Sequence, residues 1–315
     1  MSKKFFGRLR RELNLRKLVP HQECRERIIR ARVPLDDIAR DDATGISVIN
    51  SLGIPLDGKA NSCLIDAYAV LKSLQAKTDF KISNLSGRPL ITVNGITVEV
   101  ESAQDIFILR EVFVDTTYCI RCALPTTVID IGANIGTSVL YFASLPHVID
   151  VLGFEPVTPT FQRASANIER NSHLAPKIKI HNFGLGDRED SFEIPFSLEK
   201  KGNVSLTHNT QRLGENVVAE PVKLKDAARI LEPILNGQSD RFVVVKVDCE
   251  GGEYPILSAL AEKNLLRLVD CFMIEFHYDG PHALTSQLTE NGFSVITIEE
   301  NSRIGILYAS KVPPR

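Results

Sequence analysis

The sequence predicts an α/β protein in which a doubly wound, mostly parallel sheet (residues 86–315) follows a mainly helical N-terminal extension (residues 1–85). Two observations carry this prediction. A glycine-containing loop, Asp130–Gly136, lies between the apolar run 127–129 and a helix-compatible segment. Beyond that loop, strand-like and helix-like segments alternate, which is typical of parallel strands joined by crossover helices.

The strands of the second domain are predicted from short apolar runs. Apart from Lys246 and the final Asp248, the run 242–248 is apolar and mostly β-branched, as expected for a central strand buried on both faces. Further strands are predicted at 148–154, 177–183, 271–276, 293–298 and 304–309, and helices at 158–171, 254–262 and 282–291. A polar turn joins the last two strands, so an antiparallel edge is expected. Gly184–Asp187 is predicted to be a turn.

The first 85 residues show helical periodicity and no cluster of chemically reactive side chains. The segments 24–32 and 61–75 have a helical pattern, and Gly53–Gly58 separates them. After this extension, a β-hairpin is predicted at 90–100, because two apolar runs flank Asn94-Gly95. A helix at 103–112 then leads toward the glycine loop.

Composition places the chain among ordinary globular proteins. Its 315 residues are 43% hydrophobic and 24% charged, which allows a core of full size. The formal net charge of -2 argues against a nucleic-acid-binding surface, which needs a basic excess. No apolar run resembles a signal peptide or approaches the ~20 residues of a membrane span, so a cytoplasmic location is expected. The six cysteines lack the paired spacing of a zinc site.

Two segments differ locally from the rest of the chain. Residues 3–17 carry seven basic side chains and one acidic one, with apolar residues between them. This pattern is compatible with weak contact to an anionic membrane surface, but a short terminal helix packed on the body is the favoured interpretation. Residues 199–221 are polar and contain glycine, and they are predicted to form an insertion or a lid. The oligomeric state is not indicated.

Polar residues follow several predicted strands at the end where open α/β sheets bind their ligands. Asp130–Gly136 follows the first strand. Glu155 follows the second, about 20 residues past the last glycine, where an acid can hold ribose hydroxyls. Lys246–Glu253 overlaps the end of the central strand, and Glu275–His277 closes the next one. These groups are expected to converge on one crevice.

Four motifs in this order resemble those of the FkbM-type S-adenosylmethionine-dependent methyltransferases. They are Asp-Ile-Gly-Ala-Asn-Ile-Gly at 130–136, Phe-Glu-Pro at 154–156, Lys-Val-Asp-Cys-Glu-Gly-Gly-Glu at 246–253, and Glu-Phe-His at 275–277. The resemblance covers roughly residues 90–298. It implies a class I, Rossmann-like fold and O-methylation of a sugar, a glycan or another hydroxylated metabolite. Cys249 and Gly252 depart from the family, which usually has larger apolar residues at these places.

The residues and the resemblance assign the same roles on the cofactor side. Asp130 is expected to meet the ammonium of the methionine moiety, Glu155 the ribose hydroxyls, and Asp187 the adenine amino group. The predicted cofactor-binding residues are Asp130, Gly132, Asn134, Gly136, Glu155, Asp187 and Asp248. Asp187 is nearly as consistent with a simple turn-forming role.

An alcohol acceptor needs a general base, because it remains protonated at neutral pH. His277 and Asp248 are the predicted bases, Glu275 completes the predicted catalytic set, and Glu250 is predicted on the acceptor side. The alternative is a divalent metal held by Asp248, Glu250 and Glu275. Mg²⁺ or Mn²⁺ would suit such hard ligands.

Two charged residues near this cluster have structural interpretations. Lys246 is interpreted as a lysine with a buried stem whose amine pairs with a carboxylate. Glu253 is interpreted as an acid that complements the dipole at the start of a helix.

Two other functions stay open at this point. An NAD-dependent oxidoreductase or epimerase would prefer a G-x-G-x-x-G loop, whereas Asn134 and Thr137 occupy two of its glycine places. A non-catalytic cofactor-binding module would have no need for the polar groups at 248–253 and 275–277.

Overall fold

The structure is a computed structural model that describes residues 14–41, 44–56, 61–120, 122–196, 218–238 and 240–311. The chain forms two compact units, Met1–Thr116 and Thr117–Arg315. The basic stretch of the N-terminus and the predicted lid lie largely outside the described residues. Within the described part of the chain, no helix has both the length and the apolar character needed to span a membrane.

The first unit contains an unpredicted antiparallel sheet besides its helices. The helices before residue 80 include α1 (Gln22–Arg30), α2 (Ser62–Asp66) and α3 (Tyr68–Lys77). The strands are β1 (Ile38–Arg40), β2 (Ser47–Ile49) and β3 (Ile54–Pro55), in the order β1-β2-β3. The expectation of a mainly helical segment therefore missed this sheet. Strands of two or three residues are too short to show the alternation by which a strand is recognised.

A second sheet in this unit spans the predicted boundary between residues 85 and 86. Its strands are β4 (Phe80–Ser83), β5 (Leu90–Val93) and β6 (Ile96–Glu99), paired antiparallel in that order. Asn94 and Gly95 both have positive φ, as the predicted hairpin turn requires. Helix α4 (Ala103–Phe113) begins with a capping box between Ser102 and Asp105. A domain boundary between residues 85 and 86 would separate β4 from its paired strand β5. This pairing explains why the boundary between the two compact units lies later, after Thr116.

The second unit is built around a seven-stranded sheet. Its strands are β7 (Thr126–Ile131), β8 (Val148–Phe154), β9 (Ile178–His181), β13 (Phe242–Val247), β14 (Cys271–Phe276), β15 (Phe293–Asn301) and β16 (Ile304–Lys311). The order across the sheet is β9-β8-β7-β13-β14-β16-β15, and only β16 runs antiparallel to its neighbours. The predicted doubly wound, mostly parallel sheet with an antiparallel edge is confirmed.

Helices cover this sheet and bury its central strands. They are α5 (Thr137–Ser144), α6 (Thr158–Arg170), α7 (Ala227–Asn236), α8 (Glu253–Glu262) and α9 (His282–Glu290). Every residue of β7 is buried, and all of β13 beyond Phe242 is buried too. One core cluster joins Leu231 of α7, Leu260 of α8 and Leu284 of α9 to β13 and β14. Burial therefore holds β7 and β13 in place, and the loops that follow these two strands start from fixed positions.

A separate three-stranded sheet lies in the same unit. Its strands are β10 (Gly184–Gly186), β11 (Asp190–Phe196) and β12 (Val218–Asp226), in the order β10-β12-β11. The prediction of a turn at Gly184–Asp187 was wrong for its first three residues, which pair parallel with Leu224–Asp226. The glycines there fit a strand because Leu224 packs against them: a Cβ at Gly184 would lie 2.6 Å from its Cδ2.

Candidate active site

The predicted polar groups follow four adjacent strands of the seven-stranded sheet. In the order β8-β7-β13-β14, these strands are followed by Glu155, the loop 132–136, the loop 248–252 (below, the acidic loop) and His277. The strand order reverses between β7 and β13, which is where open α/β sheets form a ligand crevice. The fold thus brings to one edge the groups that the sequence placed there.

The glycine loop and the acidic loop pack directly on one another. The Asp248 N–H donates to the Ile131 carbonyl at 3.0 Å. Gly132 has a φ of 85°, and a Cβ there would lie 1.7 Å from the Asp248 carbonyl oxygen. Glycine is required at 132 because another part of the protein backbone occupies the space of a side chain. The predicted approach of a cofactor to Gly132 stays a prediction.

Asp130 forms a buried ion pair with Lys246. The Lys246 Nζ lies 3.0 Å from Asp130 Oδ1, and the two side chains are 2% and 0% exposed. Lys246 also donates to the Gly132 carbonyl at 2.7 Å, and the Ser138 hydroxyl donates to Asp130 Oδ2 at 2.6 Å. The interpretation of Lys246 as a paired, buried lysine is confirmed. In this structure the partners of Asp130 are protein groups, so its contact with a cofactor ammonium remains a prediction.

Opposing effects act on the pKa values of this pair. Burial raises the pKa of Asp130, and the attraction of Lys246 opposes that rise. Burial lowers the pKa of Lys246, but attraction to Asp130 and Asp248 outweighs it and raises that pKa above its ordinary value. Asp248 Oδ2 lies 3.4 Å from the Lys246 amine. We take the pair as ionised, because the ammonium lies between two carboxylates.

Glu155 ties the end of β8 to the glycine loop. Its Oε2 accepts from the Asn134 N–H and its Oε1 from the Val157 N–H, both at 2.9 Å. Burial raises its pKa to about 7, although both backbone hydrogen bonds oppose this rise. A carboxylate offers about four lone-pair sites, so two are left for ligand hydroxyls. The predicted ribose contact is chemically compatible with this geometry.

The start of α5 presents a buried hydroxyl beside the glycine loop. Gly136, with a φ of 85°, precedes the helix, and a Cβ at this position would lie 3.3 Å from that of Ala164. Gly136 therefore permits close packing between α5 and α6. Thr137 Oγ1 is buried and has no hydrogen-bond partner among the described residues. Such a group is usually satisfied, so it is an observation that fits a bound ligand.

Asp187 lies apart from these groups, directly after β10. Its side chain is half-exposed and pairs with Arg188 at 3.3 Å. Across the described part of the chain, no hydrogen bond joins it to the glycine loop or to Glu155. Its predicted contact with adenine is not tested by this arrangement.

Asp248 and Glu275 approach one another across the ends of β13 and β14. The Tyr118 hydroxyl lies 3.4 Å from Asp248 Oδ2 and 3.5 Å from Glu275 Oε2. The charge of Asp248, followed by burial, raises the pKa of Glu275. Tyr118 was missed by the sequence analysis, because it lies 130 residues before Asp248 and has no motif of its own.

His277 is surrounded by carboxylates. Its Nδ1 lies 3.0 Å from Glu253 Oε1, and its Nε2 lies 3.6 Å from Glu275 Oε1 and 4.0 Å from Glu250 Oε2. Burial lowers the pKa of His277, but the hydrogen bond to Glu253 and the nearby carboxylates of Glu275 and Glu250 outweigh it and raise the pKa to about 11. The imidazole is therefore protonated at neutral pH. This environment argues against His277 as the predicted general base, because an imidazolium cannot accept a proton.

Glu253 does more than complement a helix dipole. Although it is the first residue of α8, its carboxylate accepts from the backbone N–H groups of Cys249 at 3.2 Å and Gly251 at 2.8 Å. The same carboxylate holds His277. Glu253 thus fixes the acidic loop and orients the imidazolium.

The predicted metal alternative fits this arrangement poorly. Ligand atoms of Asp248, Glu275 and His277 lie within 4.8 Å of one another, whereas Glu250 is outside this group. His277 is held as a cation between carboxylates, and the Lys246 ammonium lies 3.4 Å from Asp248. These two cations already balance part of the negative charge of Asp248 and Glu275, which a divalent ion would need as ligands.

Comparisons with known proteins show which chains are similar to this one. "Methyltransferase 1" of Beauveria bassiana (strain ARSEF 2860) is 28% identical over 207 residues, which cover 60% of this chain and 81% of that protein. "Methyltransferase sdnD" of Sordaria araneosa is 28% identical over 182 residues, covering 50% of this chain and 70% of that protein. The crystal structure of Methyltransferase FkbM from Methylobacillus flagellatus KT is 14% identical, covers 78% of this chain and 59% of that one, and superposes with a TM-score of 0.38.

The family comparison covers all four motifs of the site. The model of the "Methyltransferase FkbM domain" matches residues 130–295. That range begins at Asp130 and includes Glu155, the acidic loop and His277. It extends over more than half of the chain, and the chain belongs to the FkbM methyltransferase family.

Proposed function

We propose that this methyltransferase moves a methyl group from S-adenosylmethionine to a hydroxyl oxygen of a sugar, a glycan or another hydroxylated metabolite. One observation carries the proposal. The glycine loop, bridged to Glu155, packs directly against a loop of carboxylates, so the loop that we expect to hold the cofactor lies beside a group of proton acceptors.

Protein groups on the cofactor side have the chemistry that this ligand requires. When bound, S-adenosylmethionine supplies an electrophilic methyl carbon on a sulfonium. Glu155 has the remaining lone pairs to accept from the ribose hydroxyls. Lys246, which is paired with Asp130, donates to the Gly132 carbonyl and so fixes the conformation of the glycine loop. Thr137 offers an unsatisfied hydroxyl, and Asp187 is our candidate for the adenine amino group.

Protein groups on the other side suit a hydroxylated acceptor. Asp248, Glu250 and Glu275 are partly exposed, at 30%, 28% and 34% of their side chains. Their oxygens can accept hydrogen bonds from several hydroxyls at once, which favours a saccharide or a similar small molecule. Deprotonation is needed only as the acceptor oxygen attacks, so one carboxylate within reach is sufficient.

The two alternative functions have less support. Dinucleotide binding would place a pyrophosphate over the glycine loop, where Asp130 and the acidic loop would repel it. A non-catalytic module leaves the partly exposed carboxylates without a role. Family membership also favours methyl transfer over both.

Calorimetry with S-adenosylhomocysteine, S-adenosylmethionine and NAD tests the cofactor. We expect both sulfur ligands to bind and NAD to bind weakly or not at all. Glu155→Ala should weaken binding of S-adenosylhomocysteine by about 1.5–3 kcal/mol, the scale of hydrogen bonds to a charged group. The control is Glu169→Ala, which removes an exposed acid from α6. Tighter binding of NAD than of S-adenosylhomocysteine would refute the proposal.

Transfer of labelled methyl from S-adenosylmethionine to a panel of methyl glycosides tests the acceptor class. Incorporation into at least one glycoside, with release of S-adenosylhomocysteine, is expected. Binding of the cofactor without methylation of any panel member would remove the saccharide part of the proposal.

A further inference from the structure

We infer that Glu250 is the catalytic base for the acceptor hydroxyl and that Tyr278 is the positioning residue that directs its carboxylate. This inference rests on the proposed function and deepens it, because it assigns the proton transfer to residues of this chain. It also gives a role to Tyr278, which belongs to none of the four motifs.

The first observation is a pair of unusual backbone conformations. Glu250 has a φ of 53° and Tyr278 a φ of 71°. Asparagine tolerates this left-handed region, but larger side chains rarely adopt it. The two residues lie just beyond the ends of β13 and β14, which are neighbours in the sheet. Residues held in such conformations concentrate at functional sites, where the surrounding structure enforces them.

The second observation is that these two residues contact each other. The Tyr278 hydroxyl donates to Glu250 Oε2 at 3.3 Å. The two residues with unfavourable conformations are thus joined by a side-chain hydrogen bond.

The surrounding structure fixes both loops that carry this contact. The Tyr254 hydroxyl donates to the carbonyls of His277 at 3.1 Å and Gly280 at 2.8 Å, on either side of Tyr278. The Glu253 carboxylate accepts from the Gly251 N–H at 2.8 Å, directly after Glu250. The orientation of the Glu250 carboxylate is therefore set before an acceptor arrives.

The charges around Glu250 suit proton transfer. Asp248 and Glu253 face it from its own loop, and Glu275, His277 and Tyr278 face it from the end of β14. Burial and the three acids raise its pKa to about 7, although the His277 cation opposes them. An efficient general base titrates near the working pH. Glu250 is also far more accessible than His277, at 28% against 8% of the side chain.

The reaction balances with these groups alone. The acceptor oxygen forms a bond to the methyl carbon as its O–H bond breaks. The proton passes to a Glu250 oxygen. The carbon–sulfur bond breaks with its electron pair remaining on sulfur, which leaves a neutral thioether. Glu250 then releases its proton to solvent, so no oxidant, reductant or metal is needed.

The test compares Glu250→Gln, Tyr278→Phe and His277→Gln with wild type in the full-length protein. The acceptor is the fastest methyl glycoside of the panel, and rates are measured between about pH 5 and pH 9. Glu250→Gln should lower kcat by at least about 100-fold and abolish the acidic limb of the pH–rate profile. Calorimetry should give unchanged affinity for S-adenosylhomocysteine. Glu262→Gln, the same substitution on the exposed side of α8, is the control and should behave as wild type.

The other two variants separate positioning from structure. Tyr278→Phe removes one donor to the carboxylate, and His277→Gln removes the neighbouring cation. Each should raise the pKa of Glu250 and move the acidic limb to higher pH, whereas a purely structural role would lower stability without moving it. If His277 were the base, His277→Gln would abolish the limb. That result, or an active Glu250→Gln enzyme, would overturn the inference.

A readout without any acceptor keeps the inference testable if the panel fails. Difference infrared spectroscopy of the complex with S-adenosylhomocysteine follows carboxyl titration directly. Glu155 and Glu250 should both titrate near neutral pH. We expect the Glu250 component to disappear in Glu250→Gln and to shift in Tyr278→Phe, while the Glu155 component remains in both variants. A titration that Glu250→Gln leaves unchanged would overturn the inference, whereas failure to bind S-adenosylhomocysteine would overturn the proposed function itself.

Discussion

Substitution of Lys246 by methionine should strongly destabilise the second unit. Methionine retains an apolar stem but leaves Asp130, which is fully buried, without its cation. Removal of one partner from a buried ion pair typically costs about 3–5 kcal/mol. The Gly132 carbonyl also loses its donor, so we expect a loss of about 4 kcal/mol in the free energy of unfolding. Lys263→Met, an exposed control at the end of α8, should change stability by less than about 0.5 kcal/mol.

The size of this loss should depend on pH. Without Lys246, burial is less opposed, and the pKa of Asp130 rises further above its unfolded value. The folded variant then binds more protons than its unfolded chain, so its stability falls as the pH increases. The deficit relative to wild type should therefore be larger at about pH 8 than at about pH 5.

Urea denaturation, followed by circular dichroism at both pH values, measures this deficit. The double variant Asp130→Asn/Lys246→Met removes both charges and should recover at least about 1 kcal/mol relative to Lys246→Met. The reasoning would be refuted if the free energy of unfolding of Lys246→Met lay within about 1 kcal/mol of the wild-type value. It would also be refuted if Asp130→Asn/Lys246→Met were no more stable than Lys246→Met.

Two further predictions concern the glycine loop and metal dependence. Gly132→Ala should cost about 2–5 kcal/mol, because its Cβ would overlap the Asp248 carbonyl oxygen. Gly95→Ala is the matched control, since Gly95 has a similar φ of 83° but nothing within 4 Å of a Cβ; equal losses in denaturation would contradict the close contact at 132. Treatment with a chelator should leave methyl transfer within about twofold of the untreated rate, because Lys246 and His277 supply the cations that a metal would provide. If the chelator abolished activity and added Mg²⁺ or Mn²⁺ recovered it, the result would favour the metal alternative.

Much of the second unit could be predicted from sequence because its signals are strong. The run 242–247 is long, apolar and β-branched, and its burial follows from that pattern alone. The groups at the strand ends could be placed together because the carboxyl ends of parallel strands share one edge. By contrast, β1–β3 and β10 are too short for periodicity to indicate them.

The roles of individual side chains were harder to predict than their positions. Neither Tyr118 nor Tyr278 belongs to a sequence motif. Only the tertiary structure brings their hydroxyls within reach of carboxylates. Glu253 was assigned to a helix dipole, because its contact with His277 spans 24 residues. That one missed contact is enough to change the predicted base. A single acid already raises the pKa of a histidine, and His277 lies beside three carboxylates that together hold it as a cation.

The site separates structural charge from reactive charge. Both buried cations, Lys246 and His277, are fixed by fully buried acids, Asp130 and Glu253 respectively. These pairs cannot exchange protons with an acceptor, because solvent and ligand hardly reach them. The acids that remain partly exposed lie beside these cations: Asp248 beside Lys246, and Glu250 and Glu275 beside His277. Their proton affinities are therefore set by neighbours that stay charged throughout the reaction. Proton transfer thus falls to the exposed acids, and Glu250 is the one whose orientation the backbone enforces.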